Sequence, residues 1–176
     1  FDVQFLESSD GYSSDFIFNF LPAPVDANEV KRITGVSNPS AVGNEGWNIP
    51  SPELIDAYES GDLRKAASIA TCTMASGTTA PYIKKYAHTY SLQGICGDNW
   101  PVYRYSEVLL FMAEALNEQN KPTDAKPYIN QVRTRAGLVA LTVTSQADVR
   151  TAIANERRIE LAFENKRWFD LLRTGK

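Results

Sequence analysis

Histidine is almost missing from this chain: His88 is the single one in 176 residues. It lies between Ala87 and Thr89 with no acid or nucleophile patterned beside it, which suits a structural or exposed histidine better than a catalytic one. Cysteine is scarce, with Cys72 and Cys96 only. There is no C-x-x-C and no His/Cys cluster, so the sequence carries no zinc-site signature. Those two residues are either small buried thiols or a disulfide, and a disulfide would need an oxidising compartment. No apolar run approaches the ~20 residues of a membrane helix. A basic excess is also lacking: the net charge is −3 and the isoelectric point is near 5.2. Nucleic-acid binding, which needs a basic face, is therefore not expected. The first residue is Phe1, with no initiator methionine, signal peptide or lipobox-like cysteine, and Lys176 follows a helix that can continue. The expectation is a piece of a longer protein whose targeting signal lies outside this sequence.

What is present is ordinary for a globular chain, 43% hydrophobic and 22% charged. Residues 1–22 read as extended, with β-type composition in Val3-Gln4-Phe5-Leu6 and Phe16-Ile17-Phe18-Asn19-Phe20. A polar loop carrying Tyr12 separates them. Residues 23–50 show little regular pattern, and a loop of that length is either functional or packed down on itself. Trp47 within it is suited to stacking on a ligand or to pinning the loop to the core, the second being commoner. Ser51-Pro52-Glu53 opens a short helix with a hydroxyl cap, a first-turn proline and an early acid. Residues 63–96 mix turns with β-like runs such as Ser68–Met74.

From Tyr103 the pattern turns helical. Val108 to Leu116 is apolar almost all round, with Glu107, Glu114 and Glu118 on one stripe, and such a helix is expected to be largely buried. After a break at Asn120–Thr123, a second helix places Ala125, Tyr128, Ile129, Val132 and Ala136 on one face and stops at Gly137. Two helices joined so closely form an antiparallel pair of tetratricopeptide type. A third, capped by Thr144 or Ser145, runs to Asn165, and Arg167–Arg173 makes a short final helix.

The third helix holds the sharpest anomaly. Val149, Ala152, Ile153, Ile159, Ala162 and Phe163 make one apolar stripe, and Glu156 lies inside it. A carboxylate on a buried face must be paired, protonated or functional. Arg133, bordering the apolar face of the preceding helix, is the first candidate partner and Arg104 the second, since the planar guanidinium gives a carboxylate two parallel hydrogen bonds. Glu156 and Glu160, at i and i+4, could in principle form a glycosidase-like acid pair. That spacing on one helix more often serves packing and ion pairs. The expected role is a clamp between helix pairs, with no catalytic residue, cofactor or metal.

Three segments resemble a known family. Arg104-Tyr105-Ser106-Glu107-Val108-Leu109-Leu110, running on to Ala113-Glu114-Ala115-Leu116-Asn117-Glu118, is similar to its R-Y-x-[DE]-V-L-L-x-x-A-E-A-L-N-E helix. Asn130-Gln131-Val132-Arg133-Thr134-Arg135-Ala136-Gly137-Leu138 resembles its N-x-V-R-x-R-A-G-L segment. Glu156-Arg157-Arg158-Ile159-Glu160-Leu161, then Arg167-Trp168-Phe169-Asp170-Leu171, resembles its E-R-R-x-E-L … R-x-F-D-L ending. Gly46-Trp47, Leu54–Tyr58, Gly61-Asp62-Leu63-Arg64 and Lys85-Tyr86 fit its upstream pattern. The family is the SusD/RagB group of outer-membrane nutrient-binding lipoproteins of Bacteroidetes.

That resemblance implies a mainly α fold of tetratricopeptide-like helix pairs with long irregular loops and a small β component. It implies the C-terminal portion of a SusD-like protein, loop-rich over 1–99 and a helical scaffold over 100–176, with the family's N-terminal half absent. It also implies a non-enzymatic role at the cell surface: capture of oligosaccharide beside a SusC-like TonB-dependent transporter. Alternatives are oligopeptide capture in the same family, or a helical scaffold that binds only protein. Membrane attachment would come only through a lipid anchor on the missing N-terminus. Glu156, Arg133, Arg104 and Arg157 become scaffold residues forming the clamp. Tyr12, Trp47 and Trp100 are the ligand-binding candidates, because sugars bind to exposed aromatic faces beside polar groups.

Overall fold

A computed structural model of the chain describes residues 1–42 and 48–175. The chain divides into two compact units. One comprises Phe1, Asp56–Lys65 and Pro101–Lys176; the other comprises Asp2–Ile55 and Ala66–Trp100. The order of elements is β1 (Asp2–Val3), α1 (Phe16–Asn19), α2 (Ala27–Thr34), α3 (Pro52–Asp56), α4 (Leu63–Ser68), β2 (Ile69–Thr73), β3 (Thr79–Ile83), β4 (Trp100–Pro101), α5 (Tyr105–Glu118), α6 (Pro122–Arg135), α7 (Gln146–Glu160) and α8 (Arg167–Thr174). The fold is mainly helical with small sheets, as its class was read from the sequence. Among the described residues no helix is long and apolar enough to cross a membrane.

In the unit of mixed structure, β2 and β3 pair antiparallel, Ile69 opposite Ile83 and Thr73 opposite Thr79. Its core gathers Ile17, Phe18, Leu21, Val25, Val30, Tyr82 and Tyr90 with both cysteines, which are free thiols and not a disulfide. Two expectations fail here. Phe16–Asn19 is helical, not extended. The Phe16, Phe18, Phe20 alternation that suggested a strand also places Phe16 and Phe20 four apart, and in a helical turn their rings stack at 6.5 Å. Ile17 and Phe18 then enter the core. The stretch read as irregular contains α2. Its signals were present: the Asp26 carboxylate accepts from the Glu29 N–H at 2.9 Å as N-cap, and Gly35 closes the helix at φ 73°.

In the helical unit, α5 and α6 form an antiparallel pair, with α7 packed against both. Ala113, Ala125, Ile129, Val149 and Ile153 meet at the centre of this packing. The small residues let the helices approach closely, while Leu110 and Val132 fill the next layer. Ser145 caps α7 by accepting from the Asp148 N–H at 3.1 Å. Gly137 ends α6 at φ 79°, with Leu63 3.1 Å from where a Cβ would stand.

Helix α5 departs from expectation. Tyr105, Val108, Phe111 and Met112 are exposed, and so are Trp168, Phe169 and Leu172 of α8. Glu107, read as part of a polar outer stripe, is buried. Apolar content all round the helix masked which side faces the interior. The inward side is fixed by charge pairing: Arg157 of α7 reaches Glu107 at 3.4 Å, and Lys166 reaches it at 3.1 Å.

Candidate functional site

Two arrangements carry the residues singled out from the sequence. The first is a network of buried charges in the helical unit. Glu156, 4% exposed, projects from the apolar stripe of α7. Its Oε2 accepts from Arg133 Nη1 at 3.2 Å, and its Oε1 accepts from Arg64 Nη1 at 2.6 Å. Arg133 spans Glu156 and Glu59, donating to the two oxygens of Glu59 at 2.6 and 3.0 Å and to the Val139 carbonyl at 3.0 Å. Arg64 is held by Asp62, to which Nε and Nη2 donate at 2.9 and 2.7 Å. A cavity of about 320 Å³ lies beside these groups, lined among others by Glu59, Asp62, Arg64, Arg133 and Glu156.

One turn further along α7, Glu160 accepts from three guanidinium groups: Arg104 at 2.9 Å, Arg135 at 2.5 Å and Arg64 at 3.1 Å. Arg104 does not reach Glu156. It donates instead to Glu160 and, through Nε and Nη2, to Glu164 at 2.9 and 2.7 Å. Its position immediately before α5 sets it level with the end of α7, one helical turn past Glu156. Arg157 points to the opposite side of α7, where Nε donates to the Asp170 carboxylate at 2.9 Å and the guanidinium lies 4.5 Å from the Phe111 ring centre.

The two acids of α7 respond differently. Burial pushes the Glu156 carboxyl up, and the attraction of Arg64 and Arg133 only partly offsets this. Burial also opposes ionisation of Glu160, but hydrogen bonds from Ser106, Arg135 and Arg104 outweigh it and bring the carboxyl down to about 2. Arg64, half of the pairing at Glu156, was not singled out from the sequence as a partner. It lies 92 residues from Glu156, and only its place in the Gly61-Asp62-Leu63-Arg64 motif marked it.

The second arrangement is aromatic and belongs to the mixed unit. Trp100, half-buried, stacks on Tyr86 with centroids 5.7 Å apart and planes 6° apart. Phe16 packs on both, 5.1 Å from Trp100 and 5.7 Å from Tyr86, and Phe5 meets Phe16 edge-on at 5.4 Å. Tyr12 stands outside this cluster, 68% exposed, in a loop closed by the Leu6 N–H donating to the Tyr12 carbonyl at 2.9 Å. Trp47 lies outside the described residues. His88 is exposed, with Nε2 3.3 Å from an Asp98 oxygen, and Tyr90 donates to the other Asp98 oxygen. Among the described residues no group of three or more His, Cys, Asp and Glu is placed to hold a metal ion.

Comparison with known proteins places this geometry. The family model described as the SusD family matches residues 56–176. The SusD-like protein P2 of Formosa agariphila is 33% identical over 94% of this chain and 37% of its own length. A SusD superfamily protein of Parabacteroides distasonis superposes with a TM-score of 0.74 and 26% identity, over 98% of this chain and 38% of that one. The surface glycan-binding protein A of Bacteroides uniformis does so with a TM-score of 0.70 and 28% identity, over 99% of this chain and 37% of that one. This chain therefore spans well under half the length of each of these relatives.

Proposed function

Because the chain belongs to the SusD family, we propose that it is part of a cell-surface protein of the outer membrane that captures oligosaccharide without transforming it. In this reading it hands the glycan to a SusC-like TonB-dependent transporter, and a lipid anchor elsewhere in the polypeptide holds it to the membrane. The observation that carries the reading is the family match over residues 56–176, joined to the superposition on a surface glycan-binding protein.

The charge network agrees with a binding role. Glu156 and Glu160 each keep both oxygens on guanidinium groups, an arrangement suited to fixing helices and ill suited to passing protons to a substrate. Glu156, Arg133, Arg104 and Arg157 are thus read as a clamp that docks α7 onto its neighbours. Glycan contact is assigned to the mixed unit, to Trp100 and the exposed Tyr12 ring, with Trp47 as a third candidate.

Affinity electrophoresis of the chain through gels containing different polysaccharides tests this. Retardation in at least one gel, reduced by Tyr12→Ala or Trp100→Ala, is the expected result. Migration unchanged in every gel, together with retention on an immobilised oligopeptide library, would replace glycan with peptide as the ligand.

A further inference from the structure

We propose that a groove between α5 and α6 of the helical unit is a binding site for a neutral oligosaccharide, with Tyr105 as its stacking platform. The groove has a volume of about 820 Å³, more than twice that of the cavity beside Glu156 and near the top of the ~300–1,000 Å³ range of ligand pockets. Its walls follow from helical spacing. Tyr105 and Leu109 stand four apart on α5, and Pro127, Asn130, Gln131 and Thr134 fall at i, i+3, i+4 and i+7 on α6, so each set shares one face.

The lining supplies what a sugar ring needs. Tyr105 is 74% exposed, and among the described residues no other ring or cation packs on it. Beneath it the buried Leu109 and Val132 make an apolar floor. The polar groups of the rim are uncharged and largely unspent. Among the described residues the Tyr105 and Thr134 hydroxyls make no hydrogen bond. Asn130 uses its Oδ1 to accept from the Leu141 N–H at 2.9 Å and keeps its Nδ2 donors. Gln131 donates Nε2 to the Pro127 carbonyl at 3.4 Å and keeps its Oε1 acceptor. Arg104 and Arg135, which border the groove, are already paired with Glu160.

The groove therefore offers an aromatic face, an apolar floor, and donors and acceptors in mixture without a free charge. A neutral sugar matches all three: its C–H face covers ring and floor, and its hydroxyls donate and accept alike. An apolar helix laid in the same groove would cover ring and floor but leave the rim's polar groups without partners. That the ligand is a glycan rests on the capture reading above; its place and its neutrality rest on the groove alone.

Calorimetric titration of the chain with maltohexaose, cellohexaose, laminarihexaose, xylohexaose and mannohexaose tests the proposal, with the Asn130 and Gln131 side-chain amide resonances followed in parallel. At least one of these should bind and shift both amides. Tyr105→Ala, a change at an exposed side chain, should leave the circular dichroism spectrum unchanged and weaken binding about tenfold or more, as truncating an aromatic anchor does. Thr134→Val, which removes one rim hydroxyl at nearly constant shape, should weaken it severalfold. Binding that Tyr105→Ala and Thr134→Val leave untouched, or amides that do not move on saturation, would overturn the proposal. So would self-association of the chain that Tyr105→Ala abolishes in sedimentation, in place of sugar binding. Binding lost through Tyr12→Ala or Trp100→Ala and indifferent to Tyr105→Ala removes this site and leaves glycan capture standing. Failure of all five sugars also removes the site, and polysaccharide gels then decide separately whether capture falls with it.

Discussion

Replacing Glu160 by glutamine isolates what its charge does for the helical unit. The shape of the side chain is kept, so the core around it stays filled. What changes is that three guanidinium groups, those of Arg104, Arg135 and Arg64, lose a shared anion and meet a side chain that is itself partly a donor. The depressed carboxyl gives the magnitude. A fall from the ordinary 4.5 to about 2 corresponds to about 3 kcal/mol, at ~1.36 kcal/mol per pH unit. Glu160 is buried, so this needs little discount for solvent screening. Urea unfolding followed by far-ultraviolet circular dichroism at pH 7 should show the Glu160→Gln midpoint lowered by ~1–3 M, taking a slope of about 1–3 kcal/mol per molar. The sign of the pH dependence follows from the depressed value. The stabilisation is fully present above the unfolded carboxylate pKa of about 4.3, and is lost as pH falls toward about 2. The gap between wild type and variant should therefore stay level from pH 7 to about pH 5 and close below that. A gap under about 1 kcal/mol at pH 7, or one that stays constant into the acid range, would refute the assignment of Glu160 as an ionised anchor.

Glu156→Ala, which removes the anion that Arg133 and Arg64 share and leaves them with Glu59 and with Asp62 and Glu160, should lower stability by up to about 3–5 kcal/mol in the same assay, and an unchanged midpoint would sink the clamp. Glu156→Gln should cost less at pH 7 than Glu160→Gln. Burial raises the Glu156 carboxyl, so stability from this group is greatest when it is protonated and declines as pH rises through the carboxylate range; equal costs in paired urea titrations would contradict this. Burial pushes the thiols of Cys72 and Cys96 up to about 11 and about 12, so the folded chain at pH 8 should resist a thiol reagent that titrates two equivalents after unfolding. Ile129→Ala, at a fully buried position in the helical core, should cost about 2–5 kcal/mol by thermal or chemical unfolding, and a loss below 1 would mean that the site collapses around the change.

The parts of the fold that were legible in the sequence are those where one local signal agreed with the next. Helix α6 had a proline start, a regular apolar face and a glycine stop, and the structure places it at Pro122–Arg135. Helix α7 had a serine cap and a stripe that Glu156 interrupts, and it runs from Gln146 to Glu160. Where two periods fit the same residues, tertiary packing decided. Phe16–Phe20 satisfies alternation and a helical turn alike, and the Tyr86–Trp100 stack, distant in sequence, rewards the turn. For α5, apolar residues on all sides left its inward face undetermined, because the buried acid Glu107 is explained by Arg157 and Lys166, both on segments some fifty residues away or more.

The charge network shows why the strongest motif in the chain says little about its ligand. Consecutive residues of a helix point about 100° apart, so Glu156 and Arg157 serve opposite sides of α7, while Glu160 returns to the side of Glu156. Each side is then tied by its own set of opposite charges: Arg64 and Arg133 with Arg104 on one, Asp170 with Glu107 on the other. A helix tied on both sides through charge-assisted hydrogen bonds has little freedom to shift, and both oxygens of Glu156 and of Glu160 already accept from guanidinium groups. On the proposed glycan-capture reading, recognition falls to groups outside this network, first the aromatic side chains of the mixed unit.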